Sequence, residues 1–292
     1  MRNKFCIICK YSKLDLLASK VRDSAKHKII KCKRCGHVQL YPIPTQQDDN
    51  RFYDENMQDK NVNDVGNIKR AKRKMMEDTI RRVNLIRKLT SKKGKILEIG
   101  SGHGFFLEMM RKSGYKMTGV EISKEKRKFS KQVTDVKVLD VNINEEMPHV
   151  GNFDAIVMFQ VLEHIIDPIG FLRNVRKLLK SNGKIIVEVP NCDDFQLRLH
   201  KEYREFYWQR AHISYFTPIT LKRIFSNVGF NTKILGTQRY SIENMFGWKL
   251  LKKPQMENPT YNLPEDYEWV EKFYKHHLEK NLICDTLIAI GT

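Results

Sequence analysis

A short apolar strand that runs straight into a glycine-rich turn constrains the fold of this chain more than any other feature of its sequence. Residues 96–104 read ILEIGSGHG, and an apolar helical pattern starts at Phe105. Gly100, Gly102 and Gly104 leave alternate positions of the turn without side chains, so the backbone can approach a nucleotide-like ligand closely. The run predicts an α/β sheet with a ligand at the carboxyl end of this strand. A tight connection in an unrelated α/β protein is the alternative.

The spacing of these glycines narrows the class of ligand. A dinucleotide fingerprint needs a third glycine where this chain has Phe105. A phosphate-binding loop needs a Gly-Lys-Ser/Thr sequence after the turn, whereas Gly104 is followed by Phe-Phe-Leu. Both NAD and ATP are therefore disfavoured as the bound nucleotide.

Two acidic residues end the next two predicted strands. Glu121 follows Gly100 by 21 residues, the spacing at which a carboxylate accepts hydrogen bonds from both ribose hydroxyls. Asp140 ends the third strand, where its carboxylate is placed to accept a hydrogen bond from an adenine amino group. The backbone after Asp140 can contact a ring nitrogen of the same adenine. The predicted ligand is therefore an adenosine compound.

Apolar strands alternate with amphipathic helices from Gly94 onwards, a pattern typical of a parallel sheet covered on both faces. Strands are predicted at 95–99, 117–122, 136–139, 153–159, 184–189, 232–236 and 282–290. Helices are predicted at 68–89, around 268–279, and after the caps Asp167 and Thr217. In the first of them Met76, Ile80, Val83 and Ile86 share one apolar face, which is expected to be buried, and the opposite face is basic. The expected fold class is α/β: a Rossmann-like, seven-stranded, mostly parallel sheet with helices on both faces, plus a small N-terminal module.

These motifs, taken in order, resemble those of class I S-adenosylmethionine (SAM)-dependent methyltransferases. The first motif of that family, E/D-x-G-x-G-x-G, matches residues 98–104, and acidic residues end strands two and three as they do here. The segment 153–168, FDAIVMFQVLEHIIDP, is also similar, and the resemblance covers about 94–292. It implies SAM as the cofactor, with a predicted site made of Glu98, Gly100, Ser101, Gly102, Gly104, Glu121, Ile122, Asp140, Val141, Phe159 and Gln160.

Two histidines are candidates for the catalytic group. Methyl transfer from a sulfonium is an in-line displacement, so the protein aligns the acceptor and, for a hydroxyl, removes its proton. His164, with Glu163 beside it, follows the fourth strand at the sheet edge where α/β proteins bind ligands. His212 starts an H-x-x-x-F segment, which borders the acceptor pocket in similar methyltransferases. His212 is slightly favoured as the general base; His164 is either a base or a residue that fixes the loop around SAM.

Two predicted insertions, at about 192–211 and 237–280, are expected to shape the acceptor cleft. The first contains Tyr203 and Trp208, and Tyr215 follows it; these are candidate wall residues, although core packing is the commoner role of such rings. His103, inside the glycine turn, is expected to face solvent or the methionine end of SAM.

Four cysteines near the N-terminus occur as two C-x-x-C pairs. Cys6 and Cys9 form the first pair and Cys32 and Cys35 the second, with 22 residues between the pairs. This spacing predicts a tetrahedral Zn²⁺ site of four thiolates. Because four thiolates leave no open position for a substrate, the zinc is predicted to be structural.

The cysteine pairs also resemble those of SAM methyltransferases that tailor carbohydrates and natural products. Tyr41-Pro42 and Phe52-Tyr53, which follow the cysteines, belong to that likeness. Tyr53 is either a residue that folds over the cofactor or a loop-packing residue. The expected organisation is a zinc-binding module at 1–45, a linker and basic amphipathic helix at 46–93, and a methyltransferase domain at 94–292.

The chain is strongly basic, with a formal net charge of +19. A positive field attracts anionic partners such as nucleic acid, but the lysines are scattered along nearly every predicted element, which favours a general compositional bias. No apolar run approaches the roughly 20 residues of a membrane span. The first residues, MRNKFCIIC, do not resemble a secretion signal, so a cytoplasmic location is expected.

The predicted function is methyl transfer from SAM to a small-molecule acceptor, with a hydroxyl of a sugar or surface-glycan precursor favoured. An rRNA or tRNA methyltransferase is the enzymatic alternative, although Phe159-Gln160-Val161 replaces the Asn-Pro-Pro-Tyr run of amino-group methylases. A non-catalytic SAM- or zinc-binding scaffold is the second alternative. The sequence leaves open the methylated atom, the oligomeric state and which histidine is the base.

Overall fold

The computed structural model describes residues 5–45, 47–48, 68–91, 93–142, 151–255 and 267–292. The chain forms two compact units. Unit 1 comprises Met1–Ile43, Leu162–Pro168 and Glu188–Ala289, and unit 2 comprises Pro44–Val161, Ile169–Val187 and Ile290–Thr292. Each unit therefore combines segments that are distant in the chain.

Most strands of the described residues belong to one large sheet. The strands are β1 (Leu14–Ala18), β2 (Lys28–Cys32), β3 (Val38–Tyr41), β4 (Lys95–Ile99), β5 (Lys116–Val120), β6 (Val138–Leu139), β7 (Phe153–Phe159), β8 (Leu179–Pro190), β9 (Ser214–Tyr215), β10 (Thr232–Thr237) and β11 (Thr286–Gly291). The large sheet has seven strands in the order β10-β11-β8-β7-β4-β5-β6. Strand β4 pairs in parallel with β5 and β7, and β5 with β6. The predicted Rossmann-like sheet is thus confirmed.

Helices alternate with these strands as the sequence pattern predicts. They are α1 (Ile68–Leu89), α2 (Phe105–Lys112), α3 (Lys124–Val133), α4 (Pro168–Lys177), α5 (Gln196–Leu199), α6 (Lys201–Tyr207), α7 (Pro218–Asn227), α8 (Ile242–Leu251) and α9 (Glu268–Lys280). A short 3₁₀ helix spans Leu162–His164. Within the part of the chain that the structure describes, none of the helices has the length and hydropathy of a membrane span.

Helix α1 packs with a slightly different face from the one that its apolar spacing predicts. Thr79, Val83 and Ile86 are buried, whereas Ile80 is 43% exposed. Positions 79, 83 and 86 follow the i, i+4, i+7 spacing of one helical face. The buried face of α1 therefore contains Thr79 and not Ile80. The expectation that Ile80 lies on the buried face is therefore wrong.

Unit 1 contains a second, antiparallel sheet in the order β1-β2-β3-β9. Its core combines Ile29 and Leu40, from the cysteine-bearing segment, with Trp208 and Tyr215, which lie far along the chain. The sequence pattern did not predict this sheet. Because β3 pairs with β9, the segment that contains the cysteines is part of unit 1.

Strand β11 begins four residues later than its apolar pattern predicts. Leu282 has a left-handed backbone with φ of 54°, and Ile283 N donates to Leu278 O at 3.0 Å. These residues complete the turn that ends α9, so they are not free to pair in the sheet. Strand β8 also differs from its prediction, because it begins at Leu179.

Candidate functional site

The glycine-rich turn between β4 and α2 has the backbone geometry that its sequence predicts. Gly100, Gly102 and Gly104 all have positive φ angles, of 73°, 52° and 81°. A Cβ on Gly100 would lie 2.4 Å from Val161 Cγ2, whereas a Cβ on Gly102 would meet nothing within 4 Å. Gly102 therefore borders open space in which a ligand can approach the backbone.

The carboxylate of Glu121 connects the ends of β4 and β5. Its Oε2 accepts a hydrogen bond from Gly102 N at 2.8 Å, and its Oε1 accepts one from Ser123 N at 2.8 Å. Glu121 is 7% exposed. Since each carboxylate oxygen has two lone pairs, both oxygens keep capacity to accept from a ligand.

Two polar side chains close to the same turn contain buried, unpartnered atoms. Among the described residues, Glu98 Oε2 and Ser101 Oγ have no hydrogen-bond partner. Burial raises the pKa of Glu98 well above its ordinary value, and Arg82 opposes that shift. Because native proteins rarely leave buried polar atoms unpaired, these two atoms fit the donors of a polar ligand such as SAM.

Arg127 of α3 is a site residue that the sequence analysis missed. Its Nη1 donates to Glu121 O and to Ile122 O, each at 2.7 Å, and its Nη2 contacts the Asp140 carboxylate at 2.5 Å. The guanidinium therefore joins the loops that follow β5 and β6. No local motif marks Arg127, because these contacts depend on the packing of α3.

The remaining predicted cofactor residues lie at the ends of β6 and β7. Ile122 is 50% exposed and Val141 is half-buried. Phe159 is buried, its ring centroid 5.0 Å from that of Phe106. Gln160 has a left-handed backbone with φ of 59°. All the predicted cofactor residues belong to unit 2.

His103 does not face solvent, which is one of the two orientations expected for it. It is 9% exposed, and its ring packs edge-on against Phe129 with centroids 4.5 Å apart. The imidazole acts here as part of an aromatic cluster that also includes Phe105.

His164 and His212, the two candidate catalytic residues, lie together in unit 1 with Glu163. Their ring centroids are 5.0 Å apart, and His164 Nε2 is 3.8 Å from Glu163 Oε1. His164 Nδ1 is 2.8 Å from Ala211 O. Since a carbonyl oxygen only accepts, His164 Nδ1 carries the proton, so Nε2 is the lone-pair nitrogen of the neutral ring.

Gln209 holds the ring of His212. Its Oε1 accepts a hydrogen bond from Arg22, and its Nε2 lies 2.8 Å from His212 Nε2. Burial lowers the pKa of His212 well below its ordinary value, and the neighbouring His164 and Arg22 add to the decrease. His212 is therefore neutral at physiological pH, and the lowered pKa also makes its imidazole a weaker base than that of an exposed histidine.

The four cysteines of the predicted zinc module converge. Their sulfur atoms all lie within 4.8 Å of one another, and the Cys6–Cys35 and Cys9–Cys32 Sγ distances are each 3.5 Å. In a tetrahedral site with Zn–S bonds of about 2.3 Å, neighbouring sulfurs lie about 3.8 Å apart. The donor set therefore fits a zinc ion.

The two C-x-x-C turns have matching backbone geometry. Lys10 N donates to Cys6 O at 2.9 Å, and Gly36 N donates to Cys32 O at 3.0 Å. Lys10 and Gly36 both have positive φ, at 59° and 75°. Each pair is thus closed by the same type of turn, which brings its two sulfurs to one side. His37 is fully buried next to them, and burial lowers its pKa to about 3.

The candidate wall residues of the acceptor cleft pack as a core. Tyr203 and Trp208 are buried, and the Trp208 and Tyr215 ring centroids are 4.8 Å apart. Tyr203 donates a 2.6 Å hydrogen bond to Asp194 Oδ2. Tyr53, the other aromatic candidate, and its neighbour Phe52 lie outside the described residues.

The fold and the glycine turn define a Rossmann-like, nucleotide-binding α/β protein. The family described as "Methyltransferase domain" matches residues 69–233, which is more than half of the chain. The chain therefore belongs to this methyltransferase domain family.

Named relatives are similar over a shorter segment. The ubiquinone biosynthesis O-methyltransferase of Haemophilus ducreyi is 26% identical over 107 residues, which is 33% of this chain and 45% of the relative. The enzyme with the same name from Caulobacter vibrioides is 30% identical over 102 residues, 33% of this chain and 40% of the relative. The chain thus matches less than half the length of these relatives.

A solved structure shares the fold over most of the chain. It is a SAM-dependent methyltransferase from Archaeoglobus fulgidus, with a TM-score of 0.52 and 22% sequence identity. The match covers 74% of this chain and 93% of that chain. At this identity the likeness concerns the fold alone.

Proposed function

We propose that this chain transfers a methyl group from SAM to a small-molecule acceptor. The proposal rests on the turn of unit 2, where Gly102 N donates to Glu121 while Glu98 Oε2 is buried without a partner among the described residues. A backbone turn open to a ligand, bordered by two carboxylates, suits an adenosine compound with a cationic end. Membership of the methyltransferase domain family supports the same cofactor.

The predicted cofactor residues have separate roles in this proposal. When bound, SAM supplies a methyl group that its positive sulfur makes electrophilic. Glu98 accepts hydrogen bonds from the ammonium group of the methionine portion, Glu121 from the ribose hydroxyls, and Asp140 from the adenine amino group. Arg127, which contacts the Asp140 carboxylate, positions that side chain and the loop at Ile122.

The acceptor is proposed to be a small molecule that is methylated on a hydroxyl. The relatives' name, ubiquinone biosynthesis O-methyltransferase, supports an oxygen acceptor. A sugar or glycan-precursor hydroxyl is the particular acceptor that we propose, from the sequence likeness of the cysteine module to tailoring methyltransferases. His212, with His164 beside it, is proposed to activate this hydroxyl.

We also propose that Cys6, Cys9, Cys32 and Cys35 hold a structural zinc ion. The support is the convergence of four sulfurs within 4.8 Å and the matching turns of the two pairs. A hydrogen bond from Cys6 lowers the pKa of Cys35, which favours the thiolate form that binds metals.

Calorimetry with SAM tests the cofactor proposal. Glu121→Ala is expected to weaken SAM binding about tenfold to a hundredfold, because hydrogen bonds to a charged group contribute about 1.5–3 kcal/mol. Glu125→Ala is the matched control, since this exposed acid lies at the start of α3. A folded wild-type chain that does not bind SAM would contradict the proposal and favour the scaffold alternative.

Transfer of labelled methyl from SAM to cell fractions tests the acceptor. The fractions are nucleotide sugars, extracted glycans, quinone precursors and total RNA. Label in the sugar fractions is the expected result, label in quinone precursors would retain O-methylation but overturn the sugar, and label in RNA alone would overturn the small-molecule acceptor. His212→Ala and His164→Ala should lower the transfer rate about 10²- to 10⁴-fold if these residues activate the acceptor; normal rates in both variants would refute that role.

A further inference from the structure

A second group of metal-ligating side chains lies in unit 1, apart from the cysteine cluster. Glu163, His164 and His212 each offer one ligand atom, and these atoms lie within 4.8 Å of one another. Glu163 is 1% exposed, and the two histidines are half-buried. Two imidazoles and one carboxylate are donor types that divalent transition metals bind.

The backbone around this cluster already fixes its geometry. Ile213 N donates to Glu163 O at 2.8 Å, which joins the 3₁₀ helix to the segment that carries His212. His164 Nδ1 donates to Ala211 O at 2.8 Å, so its Nε2 faces the cluster as the lone-pair nitrogen. Histidine ligands of metals almost always donate their other ring N–H to a carbonyl or carboxylate. His164 has this arrangement.

We propose that Glu163, His164 and His212 bind one divalent transition-metal ion, distinct from the zinc of the cysteine cluster. Two imidazoles and one carboxylate suit Fe²⁺, Mn²⁺, Co²⁺ or Zn²⁺ and leave coordination positions open, in contrast to four thiolates. Metal binding by a ring nitrogen of His212 would compete with Gln209 Nε2, which lies 2.8 Å from His212 Nε2 and 3.1 Å from His212 Nδ1. The three ligand atoms need only small side-chain movements, since they are already within 4.8 Å.

The consequence of this site for catalysis rests on the proposed methyl transfer. A metal at the two histidines would bind the acceptor through its hydroxyl oxygen and make that hydroxyl easier to ionise. His164 and His212 would then activate the acceptor through the metal. The acceptor class is accordingly a small molecule with a hydroxyl that can reach an open coordination position.

Cobalt titration of the full chain tests the site without SAM or an acceptor. Thiolate-to-cobalt charge-transfer absorption reports the cysteine cluster, and total bound cobalt is measured by mass spectrometry after dialysis. We expect the wild type to hold a second cobalt ion that adds no thiolate absorption. His164→Ala/His212→Ala should lose this second ion and retain the thiolate absorption. His276→Ala, an exposed histidine of α9, is the control and should retain both ions.

Glu163→Gln is the conservative second variant, because it keeps the size of the side chain and removes its charge. It should weaken the second cobalt site at least tenfold and leave the thiolate absorption unchanged. The proposal is overturned if the wild type binds cobalt only at the thiolates, or if Glu163→Gln binds the second ion with unchanged affinity. Neither readout uses SAM, so these outcomes do not test the methyl-transfer proposal, which the SAM-binding and labelling experiments test separately.

Discussion

Gly100 and Gly102 have the same type of backbone conformation but different surroundings. Both have positive φ, at 73° and 52°, which a side chain disfavours. Only Gly100 has a close neighbour, because a Cβ there would overlap Val161. Packing against Val161 thus excludes a side chain at Gly100. Gly102 borders open space, and this is where the cofactor is proposed to bind.

Gly100→Ala and Gly102→Ala should therefore separate stability from cofactor affinity. Gly100→Ala is expected to cost about 2–5 kcal/mol, the sum of a left-handed backbone and an overpacked contact 2.4 Å from Val161 Cγ2. Gly102→Ala is expected to cost only about 1–2 kcal/mol and to weaken SAM binding at least tenfold. Urea denaturation and calorimetry measure the two quantities. Unchanged SAM affinity in Gly102→Ala would argue against a cofactor at this turn.

Asp194 is a buried acid whose ionisation should make the stability of the chain depend on pH. Burial raises its pKa from 3.8 to about 7, with Asp285 adding to the increase and the hydroxyl of Tyr203 opposing it. The folded state therefore binds more protons than the unfolded state between these values. The resulting contribution to stability is full below about pH 4 and is lost as the pH rises to about 7.

Asp194→Asn should flatten this pH dependence. The difference between the unfolding free energies at pH 4 and pH 8 is expected to shrink by on the order of 1–4 kcal/mol relative to the wild type. Urea denaturation at both pH values measures it. Asp15→Asn is the control, because the Asp15 side chain is 61% exposed and should leave the wild-type slope unchanged. If the unfolding free energy of Asp194→Asn changed with pH as much as that of the wild type, Asp194 would not be the titrating group.

At the scale of elements, local sequence signals define the start of α7 completely. Thr217 Oγ1 accepts from Thr220 N at 3.2 Å, and Thr220 Oγ1 accepts from Thr217 N at 2.9 Å. Pro218 occupies the first helical position, where its missing N–H has no partner to lose. The predicted cap is confirmed, and Thr220 completes it as a capping box.

Thr217→Ala should destabilise the fold by about 1 kcal/mol, because it leaves the backbone N–H of Thr220 without its side-chain acceptor. Thr217→Ser keeps the hydroxyl and is the matched control, expected to remain within about 0.5 kcal/mol of the wild type. Thermal and urea denaturation of both variants measure the difference. Equal stability of the alanine and serine variants would mean that the cap does not contribute.

At the scale of the whole molecule, the cysteine cluster is built into unit 1. Cys32 ends β2, whose sheet also contains β9, and Cys35 O accepts a hydrogen bond from Arg223 of α7 at 3.1 Å. A metal that fixes the four sulfurs therefore also fixes strands and a helix that are distant in sequence. Its removal is expected to affect all of unit 1.

Cys32→Ser should lose zinc and destabilise unit 1 by several kcal/mol, since structural zinc contributes directly to folding free energy. Zinc content by mass spectrometry and thermal denaturation check this, with Cys284→Ser as a comparison that leaves the cluster intact. A Cys32→Ser chain that folds and still holds zinc would contradict the four-thiolate assignment.

The sequence by itself determined the features that depend on local spacing. The glycine turn at 100–104, the order of strands and helices, the Thr217 cap and the paired cysteines all follow from residues within one or two elements of each other. These signals led to the Rossmann-like sheet and to the convergence of Cys6 with Cys35, because strand period and short turns restrict the backbone strongly.

Tertiary structure alone decided the contacts between distant segments. Arg127 joins two loops, β9 completes the N-terminal sheet, and Glu163 and His164 meet His212 across 48 residues of chain. The burial of Thr79 instead of Ile80 on α1 is also decided by tertiary packing. Each depends on how helices and loops pack, and packing depends on partners that no local period encodes.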